Sequence, residues 1–334
     1  MTTKVSNRDW QRFVEQLELD SSLFEPDQLR RRIDVLDELD RRVGEFDSRE
    51  FEEDAACARM HQRTKAIQTK LEAINSELYQ SIRIEIKRGM PPHRVLEWIR
   101  AWACPDKIGS SAHGLAYDHL DELVSGILQL REPGETHIPL GPEMVFYQPT
   151  PVRHILQLIA VSALCETDVL VDLGSGLGHV PLLVSMLTGA QSFGVEVEPS
   201  YVASAQECAQ GLGLRRVRFM QQDAREADLS GGTVFYLYSP FTGSILAHVL
   251  DRLQKESAHR PIKICTLGPC TSIVAQEPWL KASAPPDTER ITLFQPLSRE
   301  MEEALVVSDV FCPLDFELGG VGVERVEQVV PGLG

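Results

Sequence analysis

Apolar positions recur at three- and four-residue steps through the first 130 residues, the spacing that builds one face of a helix. Leu29, Ile33, Leu36, Leu39 and Val43 share one such face, and Ile67, Leu71, Ile74, Leu78 and Ile82 share another. The charged run 49–54 separates the two helices. Gly89, Pro91 and Pro92 end the second helix, and Val95, Trp98, Ile99 and Trp102 begin a further amphipathic segment with both tryptophans in the core. Leu120, Leu123, Val124 and Ile127 predict another helix from Tyr117 to Leu130. Arg30, Arg31, Arg32, Arg41 and Arg42 alternate with Asp34, Asp37, Glu38 and Asp40, a pattern expected of a solvated helix face.

The pattern then changes. Pro133, Gly134, Pro139, Gly141 and Pro142 break any regular element, and Phe146 to Pro151 lead into a helix through Val152, Ile155, Leu156 and Ile159. From Asp168 onward, short apolar runs alternate with helical stretches: strands at 168–173, 191–197, 217–222, 233–238 and 262–267, and helices near 179–188, 200–210 and 243–255. Such alternation predicts a doubly wound parallel sheet with its ligand outside the carboxyl ends of the strands. Ile291 to Phe294 and Leu305 to Val310 read as a closing antiparallel pair. The tail from Gly319 has no legible element. The expected division is a helical domain over 1–130, a linker and covering loop over 131–150, and an α/β domain over 151–334.

Composition narrows the function. The net charge of −16 divides into about −5 for residues 1–130 and about −11 for the rest, with no basic cluster after residue 150. Such a chain is expected to repel nucleic-acid backbones. The seven cysteines form no C-x-x-C pair, and the histidines have no metal-ligand spacing, so reduced thiols and no metal are expected. No stretch reads as a signal peptide or a membrane span, so a soluble cytoplasmic protein is expected.

The chemistry centres on Val169 to Gly178, a buried strand carrying Asp172 and running into Gly174, Ser175, Gly176, Leu177 and Gly178. Glycines there let the backbone turn sharply and approach a ligand at the N-terminus of the next helix. The dinucleotide fingerprint G-x-G-x-x-G would require glycine where His179 stands, which argues against a nicotinamide enzyme.

The G-x-G-x-G turn behind Asp172 resembles motif I of the class I S-adenosylmethionine-dependent methyltransferases. The resemblance continues in order, through Glu196 with Glu198-Pro199, then Asp223-Ala224, then Tyr238-Ser239-Pro240-Phe241. The run Val171 to Gly176 and the preceding Tyr147-x-x-Thr150 loop are also similar to the histone lysine methyltransferases of the telomeric-silencing-disruptor type. The resemblance implies a Rossmann-like, seven-stranded methyltransferase sheet with the helical domain in front of it, and S-adenosylmethionine as cofactor.

It also implies roles. Glu196 would accept both ribose hydroxyls, with Glu198 as its competitor. Asp172 would bind the methionine amino group or orient the glycine loop. Gly174, Ser175, Gly176 and Gly178 would pack against the cofactor. Asp223 would accept from the adenine amine, and the Ala224 N–H would donate to the ring. Tyr147, Gln148 and Thr150 would touch the methionine end; alternatively Thr150 caps the next helix, with Pro151 in its first turn. Ser239 and the Tyr238 carbonyl would hold a nucleophile beside Phe241, and Tyr238 or Tyr236 would supply a hydroxyl. This turn has the single Pro240 where amine methyltransferases show two prolines, and Tyr-Ser-Pro-Phe where the silencing type shows Asn-Asn-Phe. His179 would either contact the cofactor or act as a base, or else lie on the surface as a polar residue. The expected function is methyl transfer to an N or O nucleophile of a small molecule. The alternatives are a protein lysine as acceptor, or a cofactor-binding protein without turnover. The front helices are expected to shape the acceptor site.

Overall fold

The computed structural model describes residues 7–44, 55–102, 116–131, 137–139 and 141–297. Among the described residues six α-helices come before the sheet, and the first five are α1 (Asn7–Leu19), α2 (Leu29–Gly44), α3 (Ala55–Lys87), α4 (Pro92–Trp102) and α5 (His119–Leu128). The last begins on a capping box, in which Asp118 accepts from Leu120 N–H and Asp121 accepts from Asp118 N–H. Asp121 also receives the Val152 N–H at 2.8 Å, which joins α5 to the start of α6 (Val152–Ser162).

Strands β1 (Val169–Leu173), β2 (Gln191–Glu196), β3 (Val217–Gln221), β4 (Val234–Tyr238) and β5 (Lys263–Leu267) pair in parallel. Helices α7 (His179–Thr188), α8 (Pro199–Leu212) and α9 (Gly243–Ser257) connect them, and the short α10 (Cys270–Val274) follows β5. The sheet order is β3-β2-β1-β4-β5-β7-β6, with β7 (Thr292–Pro296) antiparallel between β5 and β6 (Leu280–Ala282). The order reverses at β1, the topological switch point where an open α/β sheet leaves its ligand crevice.

The strand expected at 291–294 is β7. Its expected partner, 305–310, lies outside the described residues, as do the tail and the charged run 49–54. β7 pairs instead with β5 and with β6, whose three residues are too short to show a period of two.

Alternation along the strands splits the core between the two faces of the sheet. Val171, Leu173, Phe235, Leu237 and Ile264 pack on one face against Leu246, Val249 and Leu250 of α9. Leu170, Val234, Tyr236, Cys265 and Leu267 belong to the other, larger cluster, which continues through α7 and α8 into Leu29, Ile33, Tyr79, Ile99 and Leu123 of the front helices. Helical segment and sheet therefore share one apolar core. Trp98 packs partly buried against it, while the side chain of Trp102 lies outside the described residues.

One expectation for the front helices is overturned. Arg32 is fully buried rather than on a solvated face. Its Nε donates to Asn75 Oδ1 at 2.6 Å, and its Nη1 donates to the Leu23 and Glu25 carbonyls at 3.0 and 2.5 Å. Charge alternation along one helix could not reveal this, because the acceptors come from a turn upstream and from another helix.

Candidate active site

A cavity of about 500 Å³ opens at the carboxyl ends of β1, β2 and β4, a volume typical of small-molecule sites. Asp172, next to last in β1, lies on the face shared with Leu170 and Tyr236, flanked in register by Gly194 and Tyr236. The residue lines the cavity and is only 4% exposed, and its carboxyl has no hydrogen-bond partner among the described residues. Burial, reinforced by the nearby Glu196, pushes its pKa well above the usual carboxylate range.

The glycine turn is built as much for protein contacts as for a ligand. Gly174 and Gly176 both have positive φ, 87° and 52°, which favours glycine. A Cβ on Gly174 would run into Pro240, and one on Gly176 into the Tyr147 ring. The turn thus receives the covering loop on one residue and the Tyr238–Phe241 turn on another. Gly178 takes Phe219 in the same way. Ser175 is buried, with its hydroxyl unpartnered among the described residues.

Glu196 and Glu198, interchangeable by type and spacing, do different work. Glu196 Oε2 accepts from Gly176 N–H at 2.8 Å, and Oε1 accepts from Val197 and Glu198 N–H. This holds its carboxylate in the cavity wall beside the glycine turn. Glu198 is buried and caps α8, accepting from Ser200 N–H and hydroxyl. It also receives the His137 and Ile138 N–H groups, both at 2.9 Å, and lies 3.0 Å from His137 Nδ1. Burial opposes its charge, but the hydrogen bonds from Ser200, Ile138 and His137 outweigh it and draw the pKa down to about 2.

Glu198 therefore straps residues 137–138 to the sheet. Because its folded pKa is lowered, the strap's contribution is present above the unfolded value near 4.3 and is lost as pH falls toward 2. Glu198→Ala should lower stability by about 2–3 kcal/mol at neutral pH. Chemical denaturation at pH 7 and pH 3 tests this, and a deficit that persists undiminished at pH 3 would reject the strap.

The covering loop is fastened at several points. Tyr147 hydroxyl shares a 3.0 Å hydrogen bond with His179 Nδ1, and its ring lies 5.2 Å from that of Tyr201. Burial lowers His179 to about 4, so it is neutral at physiological pH. His179 is consequently a half-buried partner of the loop rather than a polar surface residue. Thr150 is 3.1 Å from the Tyr236 hydroxyl, and the N-cap of α6 is Pro151, so Thr150 is not the expected helix cap. Tyr117 donates to the Pro149 carbonyl at 2.9 Å. Glu143 caps α9 through Ser244 and Ile245, while Met144 bridges to Phe241. Tyr117 and Glu143 carry no sequence signal for these roles, since their partners are distant in the chain. Gln148 lines the cavity and is exposed.

Asp223 lies on the rim, held by Arg225 at 2.7 Å, which lowers its pKa; Ala224 is buried in the wall. In the Tyr238–Phe241 turn, Ser239 has φ of +43°, a strained value for a residue with a side chain. Its hydroxyl donates to the Leu267 carbonyl at 3.1 Å and accepts from Cys270 N–H at 2.9 Å. The side chain thus braces the β5–α10 loop. Phe241 is buried in the wall. The Tyr238 hydroxyl is buried without a partner among the described residues. Burial, with the Tyr117 phenol nearby, pushes its pKa up to about 12.

Among the described residues no group of His, Cys, Asp or Glu could hold a metal ion, and no helix is long and apolar enough to cross a membrane. Strand order, the antiparallel β7 and a glycine turn at the switch point together define the class I methyltransferase fold, Rossmann-like with helices before it. Within that class, residues 145–228, about a quarter of the chain, match the family described as histone methylation protein DOT1.

No curated protein matches the chain. Solved structures do. An RNA methyltransferase from Salinibacter ruber, in complex with S-adenosylhomocysteine, is 28% identical over 44% of this chain and 92% of its own, with a TM-score of 0.36. A methyltransferase from Geobacter sulfurreducens is 15% identical over 46% and 80%, with a TM-score of 0.36. An S-adenosylmethionine-dependent methyltransferase from the same organism, also with S-adenosylhomocysteine, is 24% identical over 34% and 46%, with a TM-score of 0.30. Several others are matched over only about half of their own length.

Proposed function

We propose that this protein binds S-adenosylmethionine and transfers its methyl group to an N or O nucleophile of a small-molecule acceptor. The observation that carries the reading is Asp172, a buried carboxylate with no hydrogen-bond partner among the described residues, set beside the glycine turn in a cavity that Glu196 and Asp223 also line. A buried carboxylate costs several kcal/mol unless a cation or donors meet it, and the cofactor's amino group is such a cation. The sulfonium supplies an already activated methyl group. The chain's own residues then bind and align. Glu196 has lone pairs left for the ribose hydroxyls, Asp223 and Ala224 flank the adenine, Tyr147 and Thr150 close over the methionine end, and Gly174 to Gly178 form the floor. Tyr238, Ser239 and Phe241 line the side where the acceptor enters. Alignment of this kind can supply much of the rate, since effective molarities in well-oriented reactions are very large.

Calorimetric titration with S-adenosylmethionine, S-adenosylhomocysteine and NADH tests the cofactor, which requires binding of the first two and not the third. Glu196→Ala should weaken either adenosyl ligand by about 1.5–3 kcal/mol, the worth of a charge-assisted hydrogen bond. Unchanged affinity would remove Glu196 from the ribose site. The DOT1 match favours a second reading, a protein lysine as acceptor. Labelled-methyl transfer into protein rather than into small molecules would select it. Cofactor binding with no transfer to any acceptor would point to a protein that has kept the fold without turnover.

A further inference from the structure

Ile138 lines the cavity, but neither the sequence motifs nor the cofactor assignments above give it any work. It is half-buried and belongs to neither of the two core clusters of the sheet. An apolar side chain that faces a cavity and packs into no core has burial still to gain, and a ligand in the cavity can supply it. No helix or strand carries Ile138, so something else must set its place. That place is set by one carboxylate. The His137 and Ile138 N–H groups both donate to Glu198 Oε2 at 2.9 Å. Glu198 Oε1 lies 3.0 Å from His137 Nδ1 and accepts from the Ser200 N–H and hydroxyl at 3.3 and 2.7 Å. Glu198 N–H in turn donates to Glu196 Oε1 at 2.9 Å. Ile138 is thereby tied, through two short links, to the carboxylate assigned to the ribose. A strap that served only to fasten the chain would place its apolar residue in a core instead of a cavity wall.

We propose that Ile138 packs against the adenosine half of S-adenosylmethionine, and that Glu198 is the positioning residue that holds it there. The inference rests on the cofactor reading above and adds two residues with different work. Ile138 supplies apolar contact to the sugar and base beside Glu196. Glu198 acts through Ile138, since both of its oxygens already have protein partners. A carboxylate suits the position because each oxygen can accept from a different segment, whereas an amide would present one accepting oxygen and a donor. This explains why two acidic residues stand so close in the chain: Glu196 keeps lone pairs for the ligand, and Glu198 spends its own on the wall.

The test is calorimetry on the full chain with S-adenosylhomocysteine and with adenosine, at a temperature where circular dichroism shows every variant folded. Ile138→Ala should weaken both ligands by roughly three- to tenfold, the effect of removing part of one aliphatic contact. Glu198→Asp keeps a good helix cap for α8 while shortening the reach to residues 137–138. It should weaken both ligands by a similar factor. If Glu198 acts through Ile138, the two losses do not multiply, and the double variant should bind within about twofold of the weaker single one. A merely structural Glu198 would lower the melting temperature and leave the affinity of the folded protein unchanged. Ile138→Ala alone decides the matter should Glu198→Asp fail to fold. Parental affinity in Ile138→Ala, weakening of S-adenosylhomocysteine without weakening of adenosine, or losses that multiply in the double variant would each overturn the proposal. Binding of S-adenosylhomocysteine to the parent is read first. Its absence would remove the cofactor reading and this inference with it, whereas normal parental binding with unaffected variants would remove this inference alone.

Discussion

Asp172→Asn should weaken S-adenosylmethionine binding by about 1.5–3 kcal/mol, roughly tenfold to a hundredfold, while leaving the free protein at least as stable as before. The amide keeps the shape of the carboxyl and removes its charge. In the free protein that charge is a liability, since the group is buried, has no partner among the described residues, and has Glu196 nearby. Its raised pKa sets the sign of the pH dependence. The stability associated with the protonated form is complete below the unfolded pKa near 3.9 and is lost as pH rises through the folded value. The melting temperature of the variant should therefore pull ahead of the parent as pH increases. Cofactor binding to the parent should release a proton, because the bound ammonium favours the ionised carboxylate. Titrations in buffers of different ionisation enthalpy measure that proton directly. A variant that binds the cofactor normally, or that melts well below the parent at neutral pH, would assign Asp172 to the fold instead of the ligand.

Arg32→Met should cost about 3–5 kcal/mol, the scale seen when one side of a buried charged network is removed. Methionine fills the volume but leaves the Leu23 and Glu25 carbonyls and Asn75 Oδ1 without their donor. Burial already lowers the arginine's pKa from its usual value, yet three acceptors keep it in place. Leu29 and Ile33, on the same helix, belong to the core cluster that reaches β1 and β4. The destabilisation should therefore appear in one cooperative unfolding transition that includes the sheet. Denaturant unfolding followed by both tryptophan fluorescence and far-UV circular dichroism tests this. Two separated transitions, with the second at the parental midpoint, would show that helices and sheet do not unfold as a unit.

Both predictions turn on burial that the chain's local patterns do not display. Asp172 was legible as a candidate because it stands next to last in an apolar run before a glycine turn. Its lack of a partner among the described residues was not, since that depends on Gly194 and Tyr236 being its neighbours in the sheet. Arg32 was read as solvated because its helical neighbours alternate in charge.

The sequence by itself determined the alternation of elements from 168 to 267, the glycine turn, and the acidic residues at the ends of β1, β2 and β3. These signals are local: a buried parallel strand is an apolar run, and a turn needs glycine whatever surrounds it. It also held, as alternatives, both residues of the pair Glu196 and Glu198 and both roles of Thr150. Only the tertiary structure shows their hydrogen-bond partners. Glu196 faces Gly176 while Glu198 straps 137–138, and Thr150 bonds Tyr236 instead of capping α6. The order β3-β2-β1-β4-β5-β7-β6, the joining of the covering loop to the Tyr238–Phe241 turn, and the core shared by front helices and sheet were likewise decided there. Each depends on which distant segments meet, and a hydrogen bond or an apolar contact across many residues leaves no periodicity in the chain that makes it.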